Sequence, residues 1–349
     1  MPDAQSDKTL GQNATRAIEG KRGWGGYPGK HRRLLVGKLS RTRVIRPVVM
    51  ALLAIMPTVG VPQAARPESD PGDRLEAFLD QTPHALFEWV RAEGFSDRVA
   101  INVPVRIDGA EGVLQLDTGL DVTLLEGRLP ADKDWEYGAG LYRCPRLEVG
   151  SMDLGPRWLL NRDDSEVAGP RFGSLGLDVM VGHLVVIDFP GQRFAIIEHS
   201  AAPGWLLEQT SWAEAELRDA KFFLHVDLGG ERVDDLFFDT GSSALDIVVD
   251  FEDWVRLTGC SGPEEASSTR TGKRWGSDVG IIGASARGPL AVGMVKIDRP
   301  TVYYLAEQPS LFGDWPFPAR GLIGNAPFWD CVVVMDLGVR QRFGVIKLK

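Results

Sequence analysis

Two short stretches carry the residue types that acid–base chemistry needs. Leu114-Gln115-Leu116-Asp117-Thr118-Gly119 runs on into Val122-Thr123-Leu124-Leu125. Leu236-Phe237-Phe238-Asp239-Thr240-Gly241-Ser242-Ser243 runs on into Leu245, Ile247, Val248 and Val249. In each, an apolar strand-like run delivers an aspartate into a tight turn, and a second run leaves it. One Asp-Thr-Gly is a weak signal, because turns favour all three residues. Two in matching contexts imply that Asp117 and Asp239 meet in one site, with Thr118, Gly119, Thr240, Gly241 and Ser242 supporting the turns. Two carboxylates that close cannot both ionise, so they share a proton and titrate as a pair. The ionised partner can then take a proton from a water attacking a carbonyl, while the protonated one donates to the carbonyl oxygen. Such hydrolysis calls for no cofactor, metal or covalent intermediate.

The flanking elements repeat in order. Phe222 to Gly230 precedes the second Asp-Thr-Gly strand as Ala100 to Ile107, with an Asp108-Gly109 hairpin turn, precedes the first. Ser174-Leu175-Gly176 is followed by Leu184-Val185-Val186-Ile187-Asp188, and Leu322-Ile323-Gly324 by Val332-Val333-Val334-Met335-Asp336. From Gly176 to Asp188 is 12 residues, and from Gly324 to Asp336 is also 12. Gln-Arg-Phe lies just beyond each. Matching order with one identical spacing indicates an internal duplication into two lobes.

Composition agrees with strands and many turns. In 349 residues there are 40 Gly and 22 Pro without a repeat period, and the Val, Ile, Leu and Phe runs are short. The net charge of −9 hides an asymmetry. Residues 1–65 hold 11 Lys/Arg against 3 Asp/Glu, a net of +8, which leaves 28 against 45, a net of −17, for the rest. An acidic body argues against nucleic acid as a partner. The basic arm ends in Arg41, Arg43 and Arg46 before the apolar run Pro47 to Met56, and small residues follow at Ala64-Ala65. That order matches a secretory signal, and Pro57 and Pro62 break the run as a membrane span. Export to the periplasm or medium is expected, with a membrane tether through residues 47–62 as the alternative if the signal is uncleaved.

With both motifs and both apolar-apolar-Gly strands in place, the chain from about residue 100 to 349 resembles the aspartic proteases, pepsin-like and retropepsin-like. The resemblance implies an all-β, two-lobed acid-protease fold, each lobe a barrel-like sheet, with the active-site cleft between lobes. It implies Asp117 and Asp239 as the catalytic pair and peptide or protein substrates cut by an activated water, usually at acid pH. One chain supplies both motifs, so a monomer is expected. The domain reading is a basic region and signal over 1–65, a leader or propeptide-like segment over 66–99, and lobes over 100–200 and 201–349. A non-catalytic peptide-binding module on the same scaffold is the rival.

There are departures from the family pattern. Leu120 stands where the family usually carries Ser, Thr or Ala, whereas Ser242 fits. Tyr137 and Tyr142 are candidates for a flap tyrosine, and Thr271 to Gly276 is the alternative mobile hairpin. Cys260 and Cys331 could pair and leave Cys144 over. Asp188 and Asp336 read as turn-forming aspartates. His31, His84, His183, His199 and His225 show no metal-ligand spacing. Gly283-Ala284-Ser285-Ala286-Arg287 misses the nucleophile-elbow pattern at its last position. Trp254 and Trp329 read as core or cleft wall.

Overall fold

A computed structural model describes residues 70–126, 141–162, 171–274 and 277–348. The basic arm and signal-like run, Tyr137 and the tip at Trp275-Gly276 lie outside the described residues. Ala65–Lys349 forms one compact unit, and its fold is all-β and two-lobed.

Each lobe repeats one strand crossing. In the first, Arg171–Leu175 inserts between Ala110–Leu116, to which it is parallel, and Leu124–Glu126, to which it is antiparallel. In the second, Gly321–Ile323 inserts in the same way between Glu231–Phe238 and Ile247–Val249. The glycine ending each inserted strand permits the crossing. A Cβ on Gly176 would fall 2.6 Å from the Val122 carbonyl, and one on Gly324 would fall 2.1 Å from the Ser242 carbonyl oxygen. No side chain fits there. Hairpins frame each crossing, Ser96–Ile107 with Ala110–Leu116 and Lys221–Leu228 with Glu231–Phe238. The first turns through Asp108 and Gly109, both at positive φ, as the sequence indicated.

The lobes join through a shared sheet in which Leu184–Asp188 pairs antiparallel with Cys331–Asp336. Val186 pairs with Val334, its own counterpart 148 residues on, just as Gly324 lies 148 beyond Gly176. Leu184 pairs with Asp336, and Asp188 with Val332. The duplication therefore meets itself at a pseudo-twofold point. The apolar runs here are continuous because both faces are covered. Val185, Ile187, Val333 and Met335 face the lobe cores, while Leu184, Val186, Val332 and Val334 pack with Leu75, Leu79 and Leu206.

That second layer corrects the reading of residues 66–99 as a leader. Helix Pro71–Asp80 is capped by Asp70, whose Oδ1 accepts from Gly72 N at 2.9 Å, and Pro71 sits in its first turn. Leu75 and Leu79, one helical turn apart, are buried against the shared sheet. The chain continues through Ala85–Leu86, which pairs with Arg193–Ile197, and Glu88–Ala92, which pairs with Ser96–Ile107. The boundary expected at residue 100 thus falls inside a strand. A segment that closes a core and edges two sheets is part of the folded body.

Of the other expectations, the cysteine pairing and the Tyr142 flap are corrected, while Trp254 as core and Asp188 and Asp336 as turn residues hold. Cys260 and Cys331 carry no disulfide. Tyr142 is buried in the first-lobe core, on the wrong side of its strand for a flap. Trp254 is fully buried and donates Nε1 to the Val302 carbonyl at 3.0 Å, so it is core. Asp188 and Asp336 hold turns: they accept from Gly191 N and Gly338 N, and from Arg193 Nε and Arg342 Nε.

Leu79→Ala tests the role of the helix. Removing a fully buried leucine that caps the shared sheet should cost about 2–5 kcal/mol in urea unfolding of the full chain. A cost near zero would return this segment to the status of a detachable leader.

Candidate active site

The two Asp-Thr-Gly turns interlock through their threonines. Thr118 Oγ1 donates to the Phe238 carbonyl at 2.8 Å and accepts from Thr240 N at 3.0 Å. Thr240 Oγ1 donates to the Leu116 carbonyl at 2.9 Å and accepts from Thr118 N at 2.9 Å. Both hydroxyls are fully buried and use a donor and an acceptor across the lobe boundary. The inserted strands hold the turns from behind, with Asp117 N on the Leu175 carbonyl and Asp239 N on the Ile323 carbonyl.

This lock brings the carboxylates together. A Cβ on Gly119 would lie 2.6 Å from Asp239 Oδ1 and 3.0 Å from Asp117 Oδ1. One on Gly241 would lie 2.8 Å from Asp117 Cγ. Each glycine faces the other lobe's acid, and the two acids are hydrogen-bonded side chain to side chain. Gly119 N donates to Asp117 Oδ1 at 3.0 Å, and Gly241 N donates to Asp239 Oδ1 at 2.9 Å. The structure therefore brings together all seven residues singled out in the sequence.

The pair is not symmetric. Ser242 Oγ donates to Asp239 Oδ2 at 2.8 Å, while the residue after the first turn, Leu120, has no hydroxyl to offer Asp117. Asp239 is 9% exposed and Asp117 is half-buried. Burial pushes the Asp239 carboxyl above the ordinary range, against the opposing pull of Ser242, Gly241, Asp117 and Lys221.

Braces behind the turns were not singled out in the sequence. Thr123 Oγ1 donates to Asp178 Oδ1 at 2.8 Å and accepts from Gly176 N at 3.2 Å. In the second lobe, Asn325 Nδ2 donates to Ser243 Oγ at 2.6 Å and to the Thr240 carbonyl at 3.1 Å. The available signal was position: both polar residues fall within two of the crossing glycine.

An arm of the first lobe also reaches the second. The hairpin of Glu88–Ala92 and Ser96–Ile107 carries Phe95 at its tip. Arg270 Nη1 donates to the Phe95 carbonyl at 3.4 Å, and the guanidinium lies 5.6 Å from the ring centroid. Nearer the root, Arg98 lies over the rings of Trp89 and Trp329, 5.4 and 5.1 Å from their centroids, and the two rings meet edge to face. Trp329 is therefore an interlobe contact. The hairpin Ser268–Arg274 with Ser277–Ser285, whose turn was the alternative mobile element, is the one this arm touches.

Thr118→Val keeps the shape but strands the Phe238 carbonyl and Thr240 N–H. Each stranded group should cost about 1–3 kcal/mol, measured by denaturant unfolding. Thr118→Ser should recover most of the loss, and a valine variant as stable as wild type would show that the lock is incidental.

No protein-family model matches the chain, and no curated protein matches it. Among solved structures, an aspartic proteinase from Irpex lacteus is similar at a TM-score of 0.44 and 13% identity, over 77% of this chain and 97% of that chain.

Proposed function

We propose that the chain is an aspartic-type endopeptidase in which Asp117 and Asp239 activate one water against a peptide carbonyl. The observation that supports this most is the threonine lock, which sets two carboxylates side to side with each facing the other turn's glycine. In the resting pair one proton is shared. The ionised carboxylate takes a proton from water as its oxygen bonds to the carbonyl carbon. The protonated one gives its proton to the carbonyl oxygen, which forms a tetrahedral diol. The acid that took the water proton then gives it to the amide nitrogen while its partner takes a proton from a diol hydroxyl. The C–N bond thus breaks to a carboxylic acid and an amine, and the pair ends with one proton again. No side chain is acylated and no metal takes part in this scheme. The substrate is an extended peptide, and one chain holds both acids, so a monomer suffices. Export is proposed from the basic arm and apolar run of residues 1–65. Among the described residues no helix is long and apolar enough to cross a membrane.

The rival, a peptide-binding module, draws on Leu120, an apolar residue at the place in the first turn where the second turn has Ser242. Substitution separates the two. In the full chain acting on an unstructured protein, Asp117→Asn and Asp239→Asn should each lower cleavage at least about a thousandfold. Activity should require one ionised and one protonated acid. It should thus fail at low pH, when both are protonated, and fall again as pH rises through the raised second ionisation. Binding of a statine-type peptide without cleavage at any pH from 3 to 8 would favour the module.

A further inference from the structure

Lys221 is a buried lysine on the strand that flanks the second Asp-Thr-Gly strand. It opens the strand Lys221–Leu228, directly after a two-residue turn in which Asp219 and Ala220 take φ of 48° and 54°. Phe223 pairs with Phe237 at the end of the ladder, and Lys221 and Asp239 each lie two residues beyond that pair on the two facing chains. Its side chain is folded in: the residue is 8% exposed. Its Nζ donates to the Ala220 carbonyl at a long 3.4 Å and lies 5.9 Å from the Phe317 ring centroid. An ammonium has three donors, and a neutral carbonyl and a ring face do not balance its charge.

The other charges nearby are committed elsewhere. Glu216, Asp219 and Asp235 are all ion-paired with Arg218. Asp314, on the loop that carries Phe317, acts on Asp250. Asp117 and Lys221 both pull the Asp239 carboxyl down against its burial. In the first lobe the residue at the corresponding position carries no charge. Asn102 pairs with Gln115, which sets Ala100 across from Asp117.

We propose that Lys221 is a positioning residue that balances the single negative charge of the Asp117–Asp239 pair and so holds it in the singly protonated state. The argument is one of neutrality in a buried site. A singly protonated pair with Lys221 has no net charge. Adding a proton leaves a buried +1, and removing the last one leaves a buried −1, both unfavourable at low dielectric. A cation lowers both ionisations of the pair, because it stabilises each more negative form. It thereby opposes the burial that raises Asp239 and sets where on the pH axis the working form exists. This rests on the function proposed above, and it names what tunes that site.

The test uses the full chain as wild type, Lys221→Met and Lys221→Arg. Two readouts are collected: the pH profile of kcat/KM on an unstructured protein, and carboxyl carbon-13 NMR titration of the aspartates. The methionine variant should move both limbs of the profile, and both titration steps of the pair, upward by about one pH unit. The arginine variant should keep them within about 0.3 unit of wild type. A purely structural lysine would cost stability and leave the limbs in place. Should the methionine variant not fold, Lys221→Gln replaces it, with the same upward shift expected. Unmoved limbs or titration steps in a folded, charge-free variant overturn the proposal. If the wild type cleaves nothing while the titration still shifts, the catalytic reading fails and the electrostatic one stands.

Discussion

Everything about this site depends on four hydrogen bonds made by two hydroxyl groups. Thr118 and Thr240 each take an N–H from the opposite turn and give a proton to the opposite strand's carbonyl. A hydroxyl is small enough to be fully buried and still serve both partners. Because the partners belong to different lobes, neither turn is satisfied alone. The cost of an unmet buried polar group thus becomes a force that fixes one lobe against the other at the point where the acids meet. The shared sheet beneath acts over a larger area but with less angular precision. It brings the lobes together through Val186 and Val334, and the threonines set the last ångström.

A second constraint is the handling of buried charge. The acids at the ends of the shared strands are each clamped by an arginine and a turn N–H. Asp336 also accepts from His199 at 2.7 Å, and that bond, with Arg342 and Gly338, outweighs burial and holds its carboxyl below the ordinary range. These acids are structural. Asp239 differs in kind. Its partners are a hydroxyl, an amide and another acid, and burial outweighs them. The same side chain is an anchor in one place and, in the function proposed, a proton carrier in the other, and the difference lies in whether an arginine touches it.

The sequence made some of this legible because the signals were local and repeated. Asp-Thr-Gly twice, and 12 residues from glycine to aspartate twice, identify the crossings and the shared sheet without any knowledge of distance. Contacts between residues far apart in the chain were not legible. The Phe95 arm meets Arg270 across 175 positions, and nothing near Phe95 announces it. Residues 70–92 misled for another reason. Their helix is only ten residues long, and its buried face amounts to Leu75 and Leu79, so the segment reads as a polar leader until the sheet it covers is in view. Tyr142 and the cysteine pairing failed because side-chain direction and Cβ spacing depend on register, which spacing in sequence does not supply.

Duplication within one chain permits something that two identical chains could not have. In a symmetric pair of lobes, whatever surrounds one carboxylate surrounds the other, and only the shared proton distinguishes them. Here the two halves have diverged around the acids. Ser242 faces Leu120 by position, Lys221 faces Ala100, and Asp239 is the more deeply buried of the pair. All three differences act on the same lobe. Burial alone would raise Asp239 until the pair held its proton too firmly to pass it on. A hydroxyl and a cation placed on that side bring it back toward its partner, and a proton moves easily only between groups of similar affinity. In the function proposed, this asymmetry compensates for unequal burial and lets a buried aspartate and a half-exposed one act as a pair.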